Sequence, residues 1–180
     1  MNKPQDTNPL ELYLTEIKRA AEAECYHAAI VMALSVPDVC VTIQSKEPRS
    51  GPLGYTSWCR QYLQDGTDDH FKAVYYKLRC GVSHNAFFTH RDIKHFGFDR
   101  VIFSTPKTNI SVRNVVLSRP DEKVYVMDAI TFINSMTDAA REWLDKNASH
   151  PNVKRHLGKI IHHRADELLP FIAGAGPVLA

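Results

Sequence analysis

From Cys25 to Ile43 the chain is made almost wholly of apolar or small residues, and Asp38 is the only Asp, Glu, Lys or Arg in the stretch. Ala28, Ala29, Val31, Met32 and Ser35 surround a helix rather than mark one face of it. A helix with no polar face has to be enclosed on every side, so this segment belongs at the centre of a helical bundle. Pro37 removes one backbone donor and disfavours the α conformation at Val36. The pattern therefore predicts a helix from Cys25 to about Val36, a kink, and helix again from Asp38 to Ile43. Asp38 then reads as the residue that recaps the helix after the proline, in preference to an inward-facing functional group.

The flanking segments carry ordinary amphipathic signals. Asn8-Pro9-Leu10-Glu11 is a helix start, with Asn8 as N-cap, Pro9 in the first turn and Glu11 placed to reach back to the cap. Leu10, Leu14, Ile17, Ala20 and Ala21 mark one face of a helix ending near Ala23. Residues 45–54, with two prolines and two glycines, read as a loop. A helix over residues 55–64 follows, and its stripe of Tyr55, Trp58, Cys59 and Tyr62 is expected in the core. Asp68 and Asp69 then supply caps for a helix from His70.

After Asn85 the periodicity changes. Residues 100–104, 110–117 and 123–126 are short, β-branched and separated by turn residues, so they predict a small β meander within an insertion over residues 98–126. Arg100, Lys107, Arg113, Arg119 and Lys123 of this insertion either follow a phosphate backbone or keep edge strands from aggregating. Asp128 is positioned to cap a long helix carrying Ile130, Ile133, Met136, Ala140, Trp143 and Leu144. A last helix is expected over about residues 152–168, followed by an apolar tail from Pro170 to Ala180 that is expected to pack on the bundle or on a partner.

With 44% apolar and 23% charged residues the composition is that of a globular domain. Met1 to Asn8 lacks the apolar core of a signal peptide, and the expectation is a cytoplasmic protein with no membrane partner. Residues 1–71 hold six Lys/Arg against ten Asp/Glu, a net of −4, whereas residues 72–123 hold ten against four, a net of +6. A basic middle suits a polyanion such as RNA, and equally suits solvated loops. Cys25, Cys40, Cys59 and Cys80 form no C-x-x-C pair and are expected to be reduced core residues. The histidines lack H-x3-H or H-E-x-x-H spacing, and no phosphate loop or dinucleotide fingerprint occurs, so neither a metal nor a cofactor is expected.

Chemistry concentrates in Tyr75 to Asn85. Phe71, Val74, Tyr75, Leu78 and Val82 recur at helical spacing, and Arg79 and His84 fall outside that stripe. A permanent cation and a group that titrates near neutrality can together bind a phosphate and move a proton. The ordinary alternative is an ion pair for Arg79 and a helix-terminal role for His84. Gly81 suggests that the helix loosens there. Five residues of regular helix rotate by about 140°, so the two side chains converge only if the helix unwinds or if a two-fold partner brings in a second copy.

The run Leu78-Arg79-Cys80-Gly81-Val82-Ser83-His84-Asn85, an R-x4-H pattern closing an amphipathic helix, resembles the signature of the HEPN superfamily of all-helical domains. Residues 28–40, 55–58 and 76–84 are similar to successive helical blocks of bacterial HEPN-like proteins. The likeness covers about Leu10 to Asn85 and one later helix. It implies a mainly α protein, a single HEPN-like helical bundle over residues 1–180 with the small β meander inserted before the C-terminal helices.

It also implies a metal-independent endoribonuclease, of the kind found among toxins and phage-defence effectors, working as a homodimer on an RNA substrate, with an antitoxin or regulatory protein as a candidate partner. Arg79 and His84 would be catalytic, with Ser83 and Asn85 binding substrate. Many active members carry a polar residue directly after the arginine, and here that place is Cys80. The second reading is accordingly a non-catalytic HEPN-like dimer that binds RNA, a nucleotide or a protein.

Overall fold

The computed structural model describes residues 8–106, 113–164 and 178–179. Five main helices are present among them: α1 (Pro9–Glu22), α2 (Tyr26–Gln44), α3 (Pro52–Tyr62), α4 (Lys72–Asn85) and α5 (Ala129–Asn147). A short 3-10 helix, Arg91–Phe96, leads into strands β1 (Arg100–Ser104), β2 (Val115–Ser118) and β3 (Lys123–Asp128). After α5 come α6 (Pro151–His156), a 3-10 turn at Leu157–Lys159, and the two-residue strands β4 (His163–Arg164) and β5 (Val178–Leu179). The architecture is mainly helical with one small three-stranded sheet.

Local chemistry explains several boundaries. The Asn8 side chain accepts a hydrogen bond from the Leu10 amide at 2.9 Å, and Asp128 accepts one from Thr131 at 2.7 Å, each satisfying a donor that the first helical turn leaves free. Glu11 does not reach back to its cap; it pairs with Arg141 of α5 at 3.2 Å. The side chain of Asp68 accepts from the Phe71 amide at 2.7 Å and so starts α4.

The central helix is α2, packed against α1, α3, α4, α5 and α6. By length and composition it is apolar enough to cross a membrane, with a mean hydropathy of 1.6. Here Ala29, Ile30, Ala33, Leu34, Val36, Cys40 and Ile43 are buried in the common core. Tyr55, Trp58, Cys59 and Tyr62 of α3 are buried too, so the aromatic stripe is core.

Four expectations need correction. The helix is not interrupted at the proline: α2 runs through Pro37 to Gln44. Burial of Val36, Pro37 and Cys40 against the bundle outweighs the one hydrogen bond that proline removes. The strands form no meander, because the order is β1-β3-β2 with β1 parallel to β3 and only β2 antiparallel to it. A meander needs a tight β1 to β2 turn, and ten residues separate those strands. β1 is instead held deep, with Val101 buried and its amide donating to the Phe88 carbonyl at 3.0 Å.

The last helix stops at His156 and the 3-10 turn, where the chain turns extended at Ile160. Gly158 in that turn weakens helix continuation, and Ile161 is exposed rather than on a buried face. Finally, α3 begins at Pro52 rather than Tyr55, since proline is well suited to a first turn. Lys107, residues 110–112 of the expected middle strand, residues 165–168 of the expected last helix and most of the apolar tail lie outside the described residues.

The sheet is docked on the bundle through aromatic rings. Phe71, which precedes α4, stacks on Tyr125 of β3 with centroids 4.3 Å apart, and Phe103 of β1 meets Phe132 of α5 at 5.2 Å. These contacts anchor both ends of the region that carries the candidate site.

Candidate functional site

α4 places Arg79 and His84 on one unbroken helix. Gly81 between them does not loosen it. A Cβ at Gly81 would run into the Thr89 carbonyl oxygen and come within 2.8 Å of that of Phe87, so glycine is needed for the close return of the loop after α4. The helix ends at Ala86, whose φ of 58° is left-handed. There the Ala86 amide donates to the Val82 carbonyl at 3.0 Å, the single bond of an αL cap, and the Phe87 amide reaches the Gly81 carbonyl at 3.4 Å. Of the two routes to convergence, unwinding is thereby removed within one chain.

The structure separates the candidate residues by environment. His84, Ser83 and Asn85 are exposed at the last turn of α4, next to the exposed ring of Phe87. Arg79, one and a half turns earlier, is partly buried against α2. Its Nε lies 2.6 Å from Oδ2 of Asp38, with the two side chains 32% and 15% exposed. Burial alone would pull the guanidinium down, but the Asp38 charge outweighs it and holds Arg79 above its ordinary value. Arg79 is therefore a fixed cation.

Asp38 corrects the sequence reading a second time. It does not recap a broken helix; it reaches Arg79 on one side and accepts from the Ser50 hydroxyl on the other. Ser50 belongs to the loop between α2 and α3. The carboxylate also borders an apolar cleft of about 370 Å³ whose other walls include Tyr13, Val39, Ile43 and Ile160. A single carboxylate in an otherwise apolar helix needs a countercharge, but Lys46, Arg49 and Arg60 all lie nearer in the sequence than Arg79, so the sequence signals the need and not the partner.

The ion pair is a charge contact rather than an aligned hydrogen bond. Both Arg79 Nε and Asp38 Oδ2 are solvent-inaccessible, and neither completes a hydrogen bond of acceptable angle. Cys80, beside them, is half-buried and free. Cys40 and Cys59 are buried as expected, whereas Cys25 is exposed at the start of α2, because the residue before the helix lies outside the bundle.

Much of the positive charge of residues 72–123 is locally neutralised. Lys72 pairs with Asp65, Lys77 with Asp92 at 2.6 Å, and Arg100 with Glu122 at 2.7 Å. Arg113, Arg119 and Lys123 are exposed around β2 and form no ion pair with a described carboxylate. Among the described residues no group of three or more His, Cys, Asp or Glu side chains is arranged to hold a metal ion.

Compared with protein-family models, with curated proteins and with solved structures, the chain matches none.

Proposed function

We propose that this chain is a HEPN-like, metal-independent endoribonuclease that works as a homodimer, with Arg79 and His84 as its catalytic residues. The observation that carries the reading is the pairing of environments on α4: a guanidinium locked in its charged form and partly open to solvent, followed by an exposed histidine on the same rigid helix. The likeness of Leu78 to Asn85 to the HEPN signature supports the same assignment.

In this reaction a base removes the proton of a ribose 2′-OH, and O2′ forms a bond to the adjacent phosphorus. The P–O5′ bond breaks as an acid protonates the departing oxygen. The products are a 2′,3′-cyclic phosphate and a 5′-OH end. Two protons move, and His84 carries one of them as general acid or base while water carries the other. Arg79 stabilises the extra negative charge on the pentacoordinate phosphorus. Ser83 and Asn85, exposed beside His84, can hydrogen-bond the strand. A toxin or defence role restrained by a protein partner fits such an activity.

A second reading is favoured by two features: Cys80 directly after Arg79, and Phe87, 62% exposed next to His84. Together they suit a dimerisation or binding face of a non-catalytic HEPN-like module.

The test is incubation of the purified protein with mixed cellular RNA in excess chelator beside His84→Ala. The reading expects cleavage by the wild type, cyclic-phosphate ends, and a loss of at least about 10²-fold in the variant. Equal cleavage by both proteins overturns the assignment of His84. Cleavage by neither, from a folded dimer, favours the binding module.

A further inference from the structure

We propose that Asp38 is a positioning residue for Arg79, holding the guanidinium in the orientation in which it meets a scissile phosphate, and that Ser50 fixes Asp38 in turn. This rests on the nuclease reading above. It adds to that reading a residue from a different helix and a different stretch of sequence.

The geometry argues for a role beyond stability. An arginine that served only to hold α4 to α2 would gain most from bidentate, aligned hydrogen bonds. Here the closest approach is 2.6 Å between Nε and Oδ2, yet neither atom completes an aligned bond although both are shut off from solvent. A buried pair satisfied so incompletely makes a weak brace, since the cost of desolvating two charges is offset only with good geometry. A buried group left in this state needs an explanation, and a catalytic role is one.

The carboxylate meets the guanidinium through Nε, the nitrogen nearest the chain, and the arginine side chain keeps 32% of its surface exposed. A charge contact at Nε keeps the guanidinium against α2 while about a third of the side chain stays open to solvent. The mount is stiff. Asp38 follows Pro37, whose ring fixes its own backbone torsion inside α2, and the helix packs against α1, α3, α4, α5 and α6. The Ser50 hydroxyl donates to the other carboxylate oxygen, so both oxygens of Asp38 are engaged. Arg79 thus arrives preorganised, the condition under which a fixed charge lowers a barrier most.

The experiment compares wild type, Asp38→Asn, Ser50→Ala, Arg79→Ala and His84→Ala. It measures melting temperature, steady-state cleavage of an RNA oligonucleotide in chelator between pH 5 and 9, and binding of the matching all-deoxy oligonucleotide, which lacks the attacking 2′-OH. Misplacing a group by about 1 Å costs on the order of 10²-fold, so Asp38→Asn is expected to lower kcat by about 10- to 100-fold. KM should shift little, and the pH profile set by His84 should keep its shape. Ser50→Ala, an exposed loop change, is expected to give a smaller loss in the same direction.

If the wild type cleaves and His84→Ala does not, while folded Asp38→Asn keeps kcat within about threefold, the nuclease reading stands and the role of Asp38 is overturned. Should Asp38→Asn fail to melt cooperatively, Ser50→Ala decides, and an unchanged kcat there overturns the proposal. If the wild type does not cleave, the nuclease reading falls and the deoxy oligonucleotide decides. Weakening by both Arg79→Ala and Asp38→Asn sustains Asp38 as the residue that presents Arg79 to phosphate. Weakening by Arg79→Ala alone, or no binding by the wild type, overturns it.

Discussion

Lys72 and Asp65 form an ion pair in which each side chain is only 4% exposed. The ammonium also donates to the Leu63 carbonyl at 2.8 Å, and the Tyr75 hydroxyl donates to the second carboxylate oxygen. This cluster ties the loop before α4 to the helix itself. Burial raises the Asp65 carboxyl, but the bonds from Lys72, Tyr75 and Thr67 outweigh it and leave it below the ordinary carboxylate value. A depressed folded value contributes stability that is fully present above the unfolded value, about pH 4, and is lost as pH falls through the folded one.

Asp65→Asn is therefore expected to cost about 3–5 kcal/mol at neutral pH by leaving an unpaired ammonium in the core. Urea midpoints taken from pH 7 to pH 2 check this. The wild type should lose its advantage over the variant only below about pH 4. Adding Lys72→Met to Asp65→Asn should recover part of the loss, because no buried charge then remains.

Two substitutions at the end of α4 are expected to act in opposite directions. Gly81→Ala drives a methyl into the carbonyl of Thr89, and overpacking against backbone should cost about 1–3 kcal/mol. Ala86→Gly relieves a left-handed residue that carries a Cβ, at φ 58°, and should stabilise by up to about 1 kcal/mol. Thermal melts of the two variants check the signs. A stabilised or unaffected Gly81→Ala would mean that the loop does not return over the helix.

What could be read from the sequence was what depends on near neighbours. Asn8 and Asp128 were legible as caps because the amides they satisfy lie two and three residues on. The central place of α2 was legible from its composition, although His27 and Ala28 in its first turn are exposed. The partner of Asp38 was not, since it lies forty-one residues away and no local rule names it. The parallel pairing of β1 with β3 escaped for the same reason: alternation marks a strand but does not say which strand lies beside it. Helix was legible on both sides of Pro37, whereas its continuity through the proline was not. That depends on burial of Val36, Pro37 and Cys40 against other helices, which outweighs one lost hydrogen bond. Arg79 and His84 were legible as residue types at a spacing, whereas the rigidity that keeps them apart depended on Gly81 and Thr89 meeting in space.

Thiol accessibility gives an independent check on the packing around the site. Burial pushes the Cys40 and Cys59 thiols well above their ordinary value, while Cys25 is exposed and Cys80 is half-buried. An aromatic disulfide reagent at pH 8 should modify Cys25 rapidly and Cys80 more slowly. It should reach Cys40 and Cys59 only as the protein unfolds, with all four reacting in denaturant. Fast reaction at Cys40 would be incompatible with α2 as the enclosed helix.

The unbroken course of α4 makes the strongest demand on a catalytic dimer. With Arg79 and His84 about 140° apart around one helix, the two cannot meet within a subunit, so any site that uses both draws Arg79 from one copy and His84 from the other. Mixing tests this directly. Arg79→Ala and His84→Ala are each expected to be inactive alone. In a heterodimer of the two, one of the two sites receives Arg79 from one chain and His84 from the other, both intact. After subunit exchange of equal amounts, half of the dimers are mixed, and the mixture should regain about a quarter of wild-type cleavage. A mixture that exchanges subunits, as followed by mass, yet stays inactive would show that both residues must come from the same chain or that each site needs both copies of His84. In the second case a tandem fusion carrying one wild-type and one His84→Ala subunit would be inactive as well, whereas a site built within one chain would leave that fusion about half active.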